Sequence, residues 1–184
     1  MERIDTPLAG VFLVRPTLFT DSRGYFFESY HQEKFARLGA AGPFVQHNQS
    51  KSAKRTLRGL HYQLGFPQAK LCRVSEGKVF DVAVDIRKGS PNFGKWTGVE
   101  LTSENHEMIY IPKGFAHGFA VLSDFAIFQY LCDEYYHPED EQGIAWNDPD
   151  IGIDWRVEDP ILSEKDRGHL PLMKMESHRL PSYP

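Results

Sequence analysis

The sequence predicts an all-β protein in which many short strands form a sandwich or barrel. Aromatic residues favour strands, and they make up 13% of the chain, with 13 Phe and 8 Tyr. Period-two alternation is clearest in KVFDVAVDI, where apolar residues at every second position from Phe80 to Ile86 share one face. Turn-forming residues at 65–67, 89–94 and 123–124 separate such runs, which is typical of sandwiches and barrels.

Short apolar runs mark the candidate strands along the chain. In order they are GVFLVRP, YFFESY, PFVQHNQS, LRGLHYQL, KLCRV, KVFDVAVDI, WTGVEL, EMIYI, GFAVL and FAIFQYLCDEYY. The segment HQEKFARLG interrupts them, because Phe35 and Leu38 lie three apart and Gly39 follows, which predicts a short surface helix. The C-terminal third is rich in Pro, Asp and Gly; we expect it to wrap the barrel as ordered loop, with Ser163 as a helix N-cap.

Composition limits the possible functions. The net charge of −4 lacks the basic surplus that nucleic-acid binding needs, so a local cluster must hold any anionic ligand. Cys72 and Cys132 lie in apolar runs, which predicts buried thiols in a reducing compartment. Residues 1–16 contain only a four-residue apolar run, too short for a signal peptide or a membrane span. We expect one cytoplasmic domain over residues 1–184, with no nucleic-acid or membrane partner.

A metal site is the first chemical hypothesis to consider. The segment IPKGFAHGF, with His117, has the Pro, Gly and His spacing found in the second motif of cupin barrels. The matching first strand has His61, but Gln63 stands where a second histidine would be, and glutamine is a poor transition-metal ligand. His47 could complete a three-histidine site, yet no carboxylate at ligand spacing follows His61. We therefore expect no catalytic metal.

His61 can instead act as a general base, because a neutral imidazole accepts a proton at physiological pH. An ordinary buried histidine is the alternative. Arg58 and Lys70 nearby favour a chemical role, since a lysine directed into a barrel needs an anionic partner such as a developing oxyanion. On an unbroken strand Arg58 and His61 face opposite sides. Both reach one pocket only if the strand bends or bulges, which Gly59 permits.

Seven segments carry a resemblance to a known family. They are DSRGYFFESY, QHNQSKS, RGLHYQ, PQAKLCRVSEGKVFDVAVDIRKGSPNFGKW, IPKGFAHGF, YYHPEDEQGIAWNDPDIGIDW and LSEKD. Over roughly residues 4–172 the chain resembles the dTDP-4-dehydrorhamnose 3,5-epimerase family of dTDP-L-rhamnose biosynthesis. The resemblance implies a cupin-type β-barrel or jelly roll with a few short helices. It also implies epimerisation of dTDP-4-keto-6-deoxy-D-glucose at C3 and C5 through enolates, without metal or organic cofactor.

The resemblance assigns the catalytic roles. His61 matches the general base, and Asp166 in LSEKD matches the carboxylate that pairs with it. Lys70 matches the group near the C4 carbonyl oxygen, where an ammonium stabilises the enolate. Tyr130 matches the proton donor on the opposite side of the sugar ring, although by itself it reads equally well as an ordinary strand aromatic. We expect His117 to help hold this region.

The resemblance also implies a set of substrate-binding positions. They are Arg23, Glu28, Gln46, His47, Asn48, Arg58, Lys70, His117, Tyr136, Glu141 and Lys165. Arginine forks suit phosphate oxygens, and Tyr136 is expected to stack on the nucleotide. In this family the strand that carries Arg23 and Glu28 comes from the neighbouring subunit, so the resemblance implies a homodimer with shared sites.

Two positions depart from the family pattern. His47 replaces the usual acidic residue, and strand alternation turns it away from the face of its two neighbours. Ala69 replaces the usual glycine before Lys70. Three further hypotheses stay open: a relative that inverts only C3 or C5, a metal-dependent cupin enzyme, and a non-catalytic module that binds nucleotide sugars. The presence of Tyr130 favours inversion at both carbons.

Overall fold

The computed structural model describes residues 1–40 and 42–183, and short strands make up most of its regular structure. In chain order the strands are β1 (Glu2–Asp5), β2 (Phe12–Arg15), β3 (Phe19–Asp21), β4 (Gly24–Phe26), β5 (Gln46–Ala53), β6 (Leu57–Gln63), β7 (Lys70–Glu76), β8 (Lys78–Asp85), β9 (Trp96–Thr102), β10 (Met108–Ile111), β11 (Phe115–Val121), β12 (Phe125–Cys132) and β13 (Glu141–Gly143). The α-helices are α1 (Gln32–Leu38) and α2 (Glu164–Arg167), and single 3-10 turns lie at Pro138–Asp140, Leu172–Lys174 and Ser177–Arg179.

Two antiparallel sheets face each other and form a jelly-roll barrel. The first has six strands in the order β1-β2-β10-β7-β12-β5, and the second has five in the order β13-β6-β11-β8-β9. A separate hairpin pairs β3 with β4. Between the sheets, Val74 and Phe128 of the first pack with Ala83 and Phe119 of the second. The predicted fold class, an all-β cupin-type jelly roll with a few short helices, is confirmed.

Strand β8 is buried on both faces, which its alternation did not indicate. Its apolar face, represented by Phe80 and Val82, packs against C-terminal residues that include Trp155 and Leu172. The opposite face, which carries Asp81, lies toward the barrel interior, where Ala83 packs against Phe119 and Phe128 between the sheets. The C-terminal segment therefore lies against the outer surface of the five-stranded sheet.

Both predicted helices are confirmed. Helix α1 buries Phe35 and ends at Gly39, whose φ of +95° lies in the left-handed region that glycine favours. Helix α2 is a single turn, and its N-cap Ser163 accepts a hydrogen bond from the backbone N–H of Asp166 at 3.1 Å. This cap fixes the position of Asp166 relative to the sheet.

The predicted irregularity at Gly59 is also confirmed. His117 of β11 pairs with His61, but Phe119 pairs with Arg58, so β6 contains one extra residue over this interval. Gly59 has a φ of +116°, and a Cβ atom there would lie 2.6 Å from the Cα of Gly118. The bulge lets Arg58 and His61 line the same cleft.

Several strand predictions were incomplete. Strands β1, β3 and β13 were not predicted, because they are only three or four residues long and carry few apolar side chains. The run YFFESY forms a strand only over Gly24–Phe26. The run FAIFQYLCDEYY leaves the sheet after Cys132.

Both cysteines are buried free thiols, as predicted. Across the described ranges, the helices are too short or too polar for any of them to cross a membrane.

Candidate active site

A polar cleft lies between the two sheets. Its barrel part, about 380 Å³, reaches His117 in the interior, and its β5 part, about 310 Å³, reaches Gln46. Both parts are lined by His61, Lys70, Tyr130, Tyr136 and Glu141. Strands from both sheets carry all of these side chains except Tyr136, which lies on the loop after β12, so each sheet forms one wall.

His61 and Asp166 form a hydrogen-bonded pair on the β6 wall. Nε2 of His61 lies 2.5 Å from Oδ1 of Asp166, although the residues are 105 positions apart. The other carboxylate oxygen accepts a hydrogen bond from the Ser163 hydroxyl at 2.8 Å. Burial raises the pKa of Asp166, but its bonds to His61 and Ser163 outweigh burial and hold the pKa below its ordinary value. Asp166 is therefore ionised at neutral pH, and Nδ1 of His61 is free of this bond.

Glu141 joins the base to the β5 part of the cleft. Its Oε1 lies 3.6 Å from Nδ1 of His61, while its Oε2 forms an ion pair with Lys165 and accepts a bond from the Tyr136 hydroxyl at 2.6 Å. Burial raises the pKa of Glu141, but Lys165 and Tyr136 hold it below its ordinary value. The bond to Glu141 raises the pKa of Tyr136 to about 12, so this phenol stays protonated.

Lys70 and Tyr130 lie on the opposite wall, on β7 and β12. The Lys70 ammonium is 5.9 Å from the centre of the Tyr130 ring. Burial, with smaller contributions from the nearby thiols and Glu141, raises the pKa of Tyr130 to about 12. Tyr130 is therefore a protonated donor at neutral pH, and it lines the cleft from the sheet opposite to that of His61.

His117 lies on the floor of the barrel part, where it is paired with Asp81. Its Nε2 is 3.0 Å from Oδ2 and 3.1 Å from Oδ1 of Asp81, and both residues are buried. The thiol of Cys72 is 4.0 Å from the same nitrogen. Sequence reasoning missed Asp81, whose only signal was a carboxylate inside a strand with apolar residues on both sides.

Polar side chains of β5 and β6 line the rest of the cleft. Nε of Arg58 donates to the Ser52 hydroxyl at 3.1 Å. Gln46 accepts from the backbone N–H of Tyr136 at 2.9 Å and donates to Asn48 at 2.9 Å. These contacts join β5 to the loop that carries Tyr136.

Three residues of the expected binding set lie outside this cleft. Arg23, at the tip of the β3–β4 hairpin, is exposed and paired with Asp21 at 2.5 Å. Glu28 forms an ion pair with Lys34 beside a different cavity. His47 lines a cavity on the outer face of the six-stranded sheet, because alternate side chains of β5 point to opposite faces. This position of His47 is the one that strand alternation predicted, and its role in substrate binding stays a prediction.

The side chains at the cupin motif positions do not fit a metal site. Gln63 uses its amide in backbone contacts, donating to Phe66 at 2.7 Å and Tyr135 at 3.1 Å and accepting from His137 at 2.7 Å. Lys70 adds a cation at this part of the cleft, and Nε2 of His117 already faces the carboxylate of Asp81. Gln63 instead fixes the loops on either side of the cleft.

The fold and the site together define a class of protein. The fold is the jelly roll of cupins, and its cleft holds an imidazole paired with a carboxylate, a protonated phenol and an ammonium group. Such groups remove and return protons and stabilise developing oxyanions. The chain is therefore a protein of the cupin type whose cleft is equipped for acid–base chemistry.

Comparison with known proteins identifies the family. The family model for dTDP-4-dehydrorhamnose 3,5-epimerase matches residues 5–174. The dTDP-4-dehydrorhamnose 3,5-epimerase of Methanothermobacter thermautotrophicus is 52% identical over 172 residues, which cover 92% of this chain and 93% of that protein. The chain therefore belongs to the dTDP-4-dehydrorhamnose 3,5-epimerase family, as the resemblance implied.

Solved structures show the same backbone in enzymes of two specificities. The dTDP-6-deoxy-D-glucose-3,5-epimerase of Legionella pneumophila, in complex with dTDP-4-keto-L-rhamnose, has a TM-score of 0.96 and 46% identity, over 100% of this chain and 98% of that one. A 3'-monoepimerase of Streptomyces bikiniensis in complex with dTDP-quinovose has a TM-score of 0.91 and 34% identity, over 98% and 93%. The fold is thus shared by enzymes that invert two carbons and one.

Proposed function

We propose that this protein converts dTDP-4-dehydro-6-deoxy-D-glucose to dTDP-4-dehydro-L-rhamnose by inverting C3 and C5, as a step of dTDP-L-rhamnose biosynthesis. One observation carries the proposal: the His61–Asp166 pair and the protonated Tyr130 line one cleft from opposite sheets. Inversion requires that a proton leave one face of a carbon and another arrive at the opposite face. The product bound to the 46% identical Legionella enzyme supports the same chemistry in this chain.

In the proposed reaction, Nδ1 of His61 takes a proton from a carbon next to the C4 carbonyl. The electrons of the broken C–H bond form the enolate double bond, and the carbonyl electrons move to the oxygen, where the Lys70 ammonium stabilises them. Tyr130 then donates its proton to the opposite face, and the enolate electrons form the new C–H bond. Proton exchange with water returns the resulting imidazolium and phenolate to their starting forms.

The base requires help from fixed charge. General acid–base catalysis contributes about 10²–10⁴-fold, while enzymes commonly reach at least about 10⁶-fold. A preorganised donor at a developing oxyanion adds roughly 2.7–4 kcal/mol. Lys70 is the proposed donor, and Asp166 stabilises the imidazolium that forms on His61.

The remaining polar groups of the cleft are proposed to bind the nucleotide sugar. Arg58 and Lys165 supply positive charge for the diphosphate. Gln46 and Asn48 supply amides, and Tyr136 an exposed ring, for the thymidine side. The proposal includes no metal and no organic cofactor.

We include a cytoplasmic homodimer in the proposal, with one domain over residues 1–184. The β3–β4 hairpin exposes Phe19, Tyr25 and Phe26, and an apolar patch of this kind is typical of an interface. Docking of that hairpin on a second copy would bring Arg23 and Glu28 to the neighbouring cleft. Free thiols at both cysteines suit a reducing compartment.

Deuterium incorporation tests the proposed function. The protein is incubated with dTDP-4-keto-6-deoxyglucose in deuterated water, and the labelled carbons are located by NMR. We expect label at both C3 and C5, and its loss from both in a folded His61→Ala variant. Label at one carbon would instead establish a single-carbon epimerase, which is the specificity of the Streptomyces enzyme.

A non-catalytic binding module and a metal-dependent enzyme would each give a different result in the same assay. The binding module would bind dTDP and give no label at either carbon. The metal-dependent enzyme would lose its activity to a chelator and regain it on addition of metal. Either result would overturn the proposal.

A further inference from the structure

His169 lies directly behind the base pair, on the loop that follows α2. Its ring makes an edge-to-face contact with His61, with ring centres 5.8 Å apart and planes at 82°. Its Nε2 lies 3.9 Å from Oδ1 of Asp166, the same oxygen that pairs with His61. That nitrogen is buried and has no hydrogen-bond partner among residues 1–40 and 42–183. No sequence motif singled out this histidine.

The position of His169 is set by close packing on β13. Gly143 pairs with His61 across the β13–β6 ladder, and a Cβ atom at Gly143 would lie 2.2 Å from Nε2 of His169. Only a glycine therefore leaves room for this imidazole. The next residue, Leu170, is held by a bond from the backbone N–H of Ala145 to its carbonyl at 2.9 Å. These contacts keep the unpartnered Nε2 of His169 close to the Asp166 carboxylate.

Two imidazole nitrogens and one carboxylate oxygen meet at this point. The ligand atoms of His61, Asp166 and His169 all lie within 4.8 Å of one another. Two histidines and a carboxylate are a frequent protein ligand set for Zn²⁺ with an open fourth position. Zinc bonds of about 2.0–2.2 Å in a tetrahedron separate the ligand atoms by roughly 3.3 Å. The distances to Asp166 here, 2.5 Å from His61 and 3.9 Å from His169, lie on either side of that separation.

We propose that His61, Asp166 and His169 form a Zn²⁺ site, and that zinc bound there inhibits the enzyme. Zinc on Nε2 of His61 leaves the ring proton on Nδ1, the nitrogen that must be free to accept a proton from the substrate. Zinc also occupies the carboxylate that would stabilise the imidazolium. His61 and Asp166 both line the barrel part of the cleft, and His61 is partly exposed, so a zinc ion can reach these ligands from the cleft.

A second cluster provides the competing location. The ligand atoms of Cys72, Asp81 and His117 also lie within 4.8 Å of one another, but all three residues are buried. Nε2 of His117 already contacts both oxygens of Asp81, so the imidazole nitrogen of this cluster has a partner. The His169 cluster is preferred because Nε2 of His169 is unpartnered and because His61 is partly exposed, whereas every member of the second cluster is buried.

Calorimetry on chelator-treated full-length protein tests binding without reference to activity. Zinc chloride is expected to bind with one equivalent, and Co²⁺ is expected to give the absorption bands of a four-coordinate site. His169→Gln should weaken zinc binding at least about tenfold, because one of three ligands is lost. The matched control is His178→Gln, at an exposed histidine that lies 3.5 Å from Glu176 and is not one of the three ligands, so this variant should bind as the parent does. Mg²⁺, which prefers oxygen ligands, should not compete.

The activity arm rests on the proposed function, and the binding arm does not. Zinc should abolish deuterium incorporation reversibly in the parent and in His178→Gln, while His169→Gln should retain incorporation at the same zinc concentration. Unchanged zinc binding in His169→Gln, or its loss in Cys72→Ser, would overturn the site. If His169→Gln does not fold, His169→Asn carries the same comparison. Zinc binding without any catalysis would contradict the proposed function alone, and bound zinc that leaves incorporation unchanged would contradict inhibition.

Discussion

On the β6 wall of the cleft the histidine base and the two carboxylates beside it have partners within the chain, whereas on the β7 and β12 wall the reactive groups do not. His61 is paired with Asp166 at 2.5 Å, and Glu141 forms an ion pair with Lys165. Within the described ranges, the Lys70 ammonium and the Tyr130 hydroxyl make no hydrogen bond or ion pair, and Lys70 lies 5.9 Å from the Tyr130 ring centre. His61, Asp166 and Glu141 on the β6 wall have partners within the chain, and Lys70 and Tyr130 on the opposite wall are free to contact a ligand.

This difference corresponds to what each proposed role requires. A base needs one ring orientation before the substrate arrives, and a fixed carboxylate provides it. An ammonium that stabilises a transient enolate acts best without a protein anion beside it, because such an anion would cancel its charge in the ground state. The unpaired state of Lys70 is therefore as informative as the pairing of His61.

Asp166→Asn should disrupt the His61–Asp166 pair of the β6 wall and have the largest effect on deuterium incorporation. The side chain keeps its shape but loses the charge that orients His61 and stabilises its cation. We expect deuterium incorporation at both carbons to fall by about 10³–10⁴-fold. The control is Asp124→Asn, which removes an exposed carboxylate 3.7 Å from Lys54. A loss below about tenfold in Asp166→Asn would contradict the proposed role of the pair.

Lys70→Met should remove the positive charge from the β7 and β12 wall and have the next largest effect on deuterium incorporation. Loss of one oxyanion donor typically costs about 10²–10³-fold in kcat, so we expect a loss of this size at both carbons. Lys78→Met is the matched control, because Lys78 lies outside the cleft, 3.5 Å from Glu100. Steady-state kinetics separate the outcomes: a rise in KM with unchanged kcat would mean that Lys70 only binds substrate.

Tyr130→Phe should separate the proposed roles of the two walls, namely proton removal by His61 and proton return by Tyr130. The base wall is intact in this variant, so proton removal continues while return to the opposite face is lost. We expect inversion to fall by roughly 10²-fold, mainly at C5. NMR of the products measures deuterium and configuration at each carbon separately. Tyr183→Phe, near the C-terminus, is the control. Inversion at both carbons at the parent's rate in Tyr130→Phe would exclude Tyr130 as the donor.

Local residue patterns predicted parts of the fold well. The alternation from Phe80 to Ile86 predicted β8, and the glycine at position 59 predicted the bulge in β6. The C-terminal segment was expected to wrap the barrel, but its residue pattern did not indicate which strand faces it covers. The contact of Trp155 with the apolar face of β8 is one example, because that segment has no periodicity that would mark Trp155.

The site shows the same limit. The residues themselves singled out His61 and Lys70, but the partner Asp166, 105 positions from His61, was found only through the family resemblance. Asp81 was missed because a single carboxylate in a strand gives no sign of a partner histidine 36 positions away. Such pairings are set by how the sheets fold together, which no short segment specifies.

Asp85 is a structural carboxylate on the five-stranded sheet, in contrast to the proposed catalytic carboxylate of Asp166. Asp85→Asn should therefore have the smallest effect on activity. Asp85 is buried, accepts bonds from Arg87 at 2.7 Å and Ser90 at 2.6 Å, and does not line the cleft. We expect incorporation per folded molecule to be unchanged, and the free energy of unfolding to fall by about 2 kcal/mol near neutral pH.

The pH dependence of that loss gives the sharper test. Burial raises the pKa of Asp85, but the bonds to Arg87 and Ser90 outweigh burial and hold it below its ordinary value. A carboxylate with a lowered folded pKa contributes its full stability above the unfolded value of about 3.9, and loses it as the pH falls through the folded pKa. Urea unfolding should therefore show a constant difference between parent and variant from about pH 7 to 5, and a shrinking one below about pH 4. A difference that grew on acidification would contradict the ionised pair.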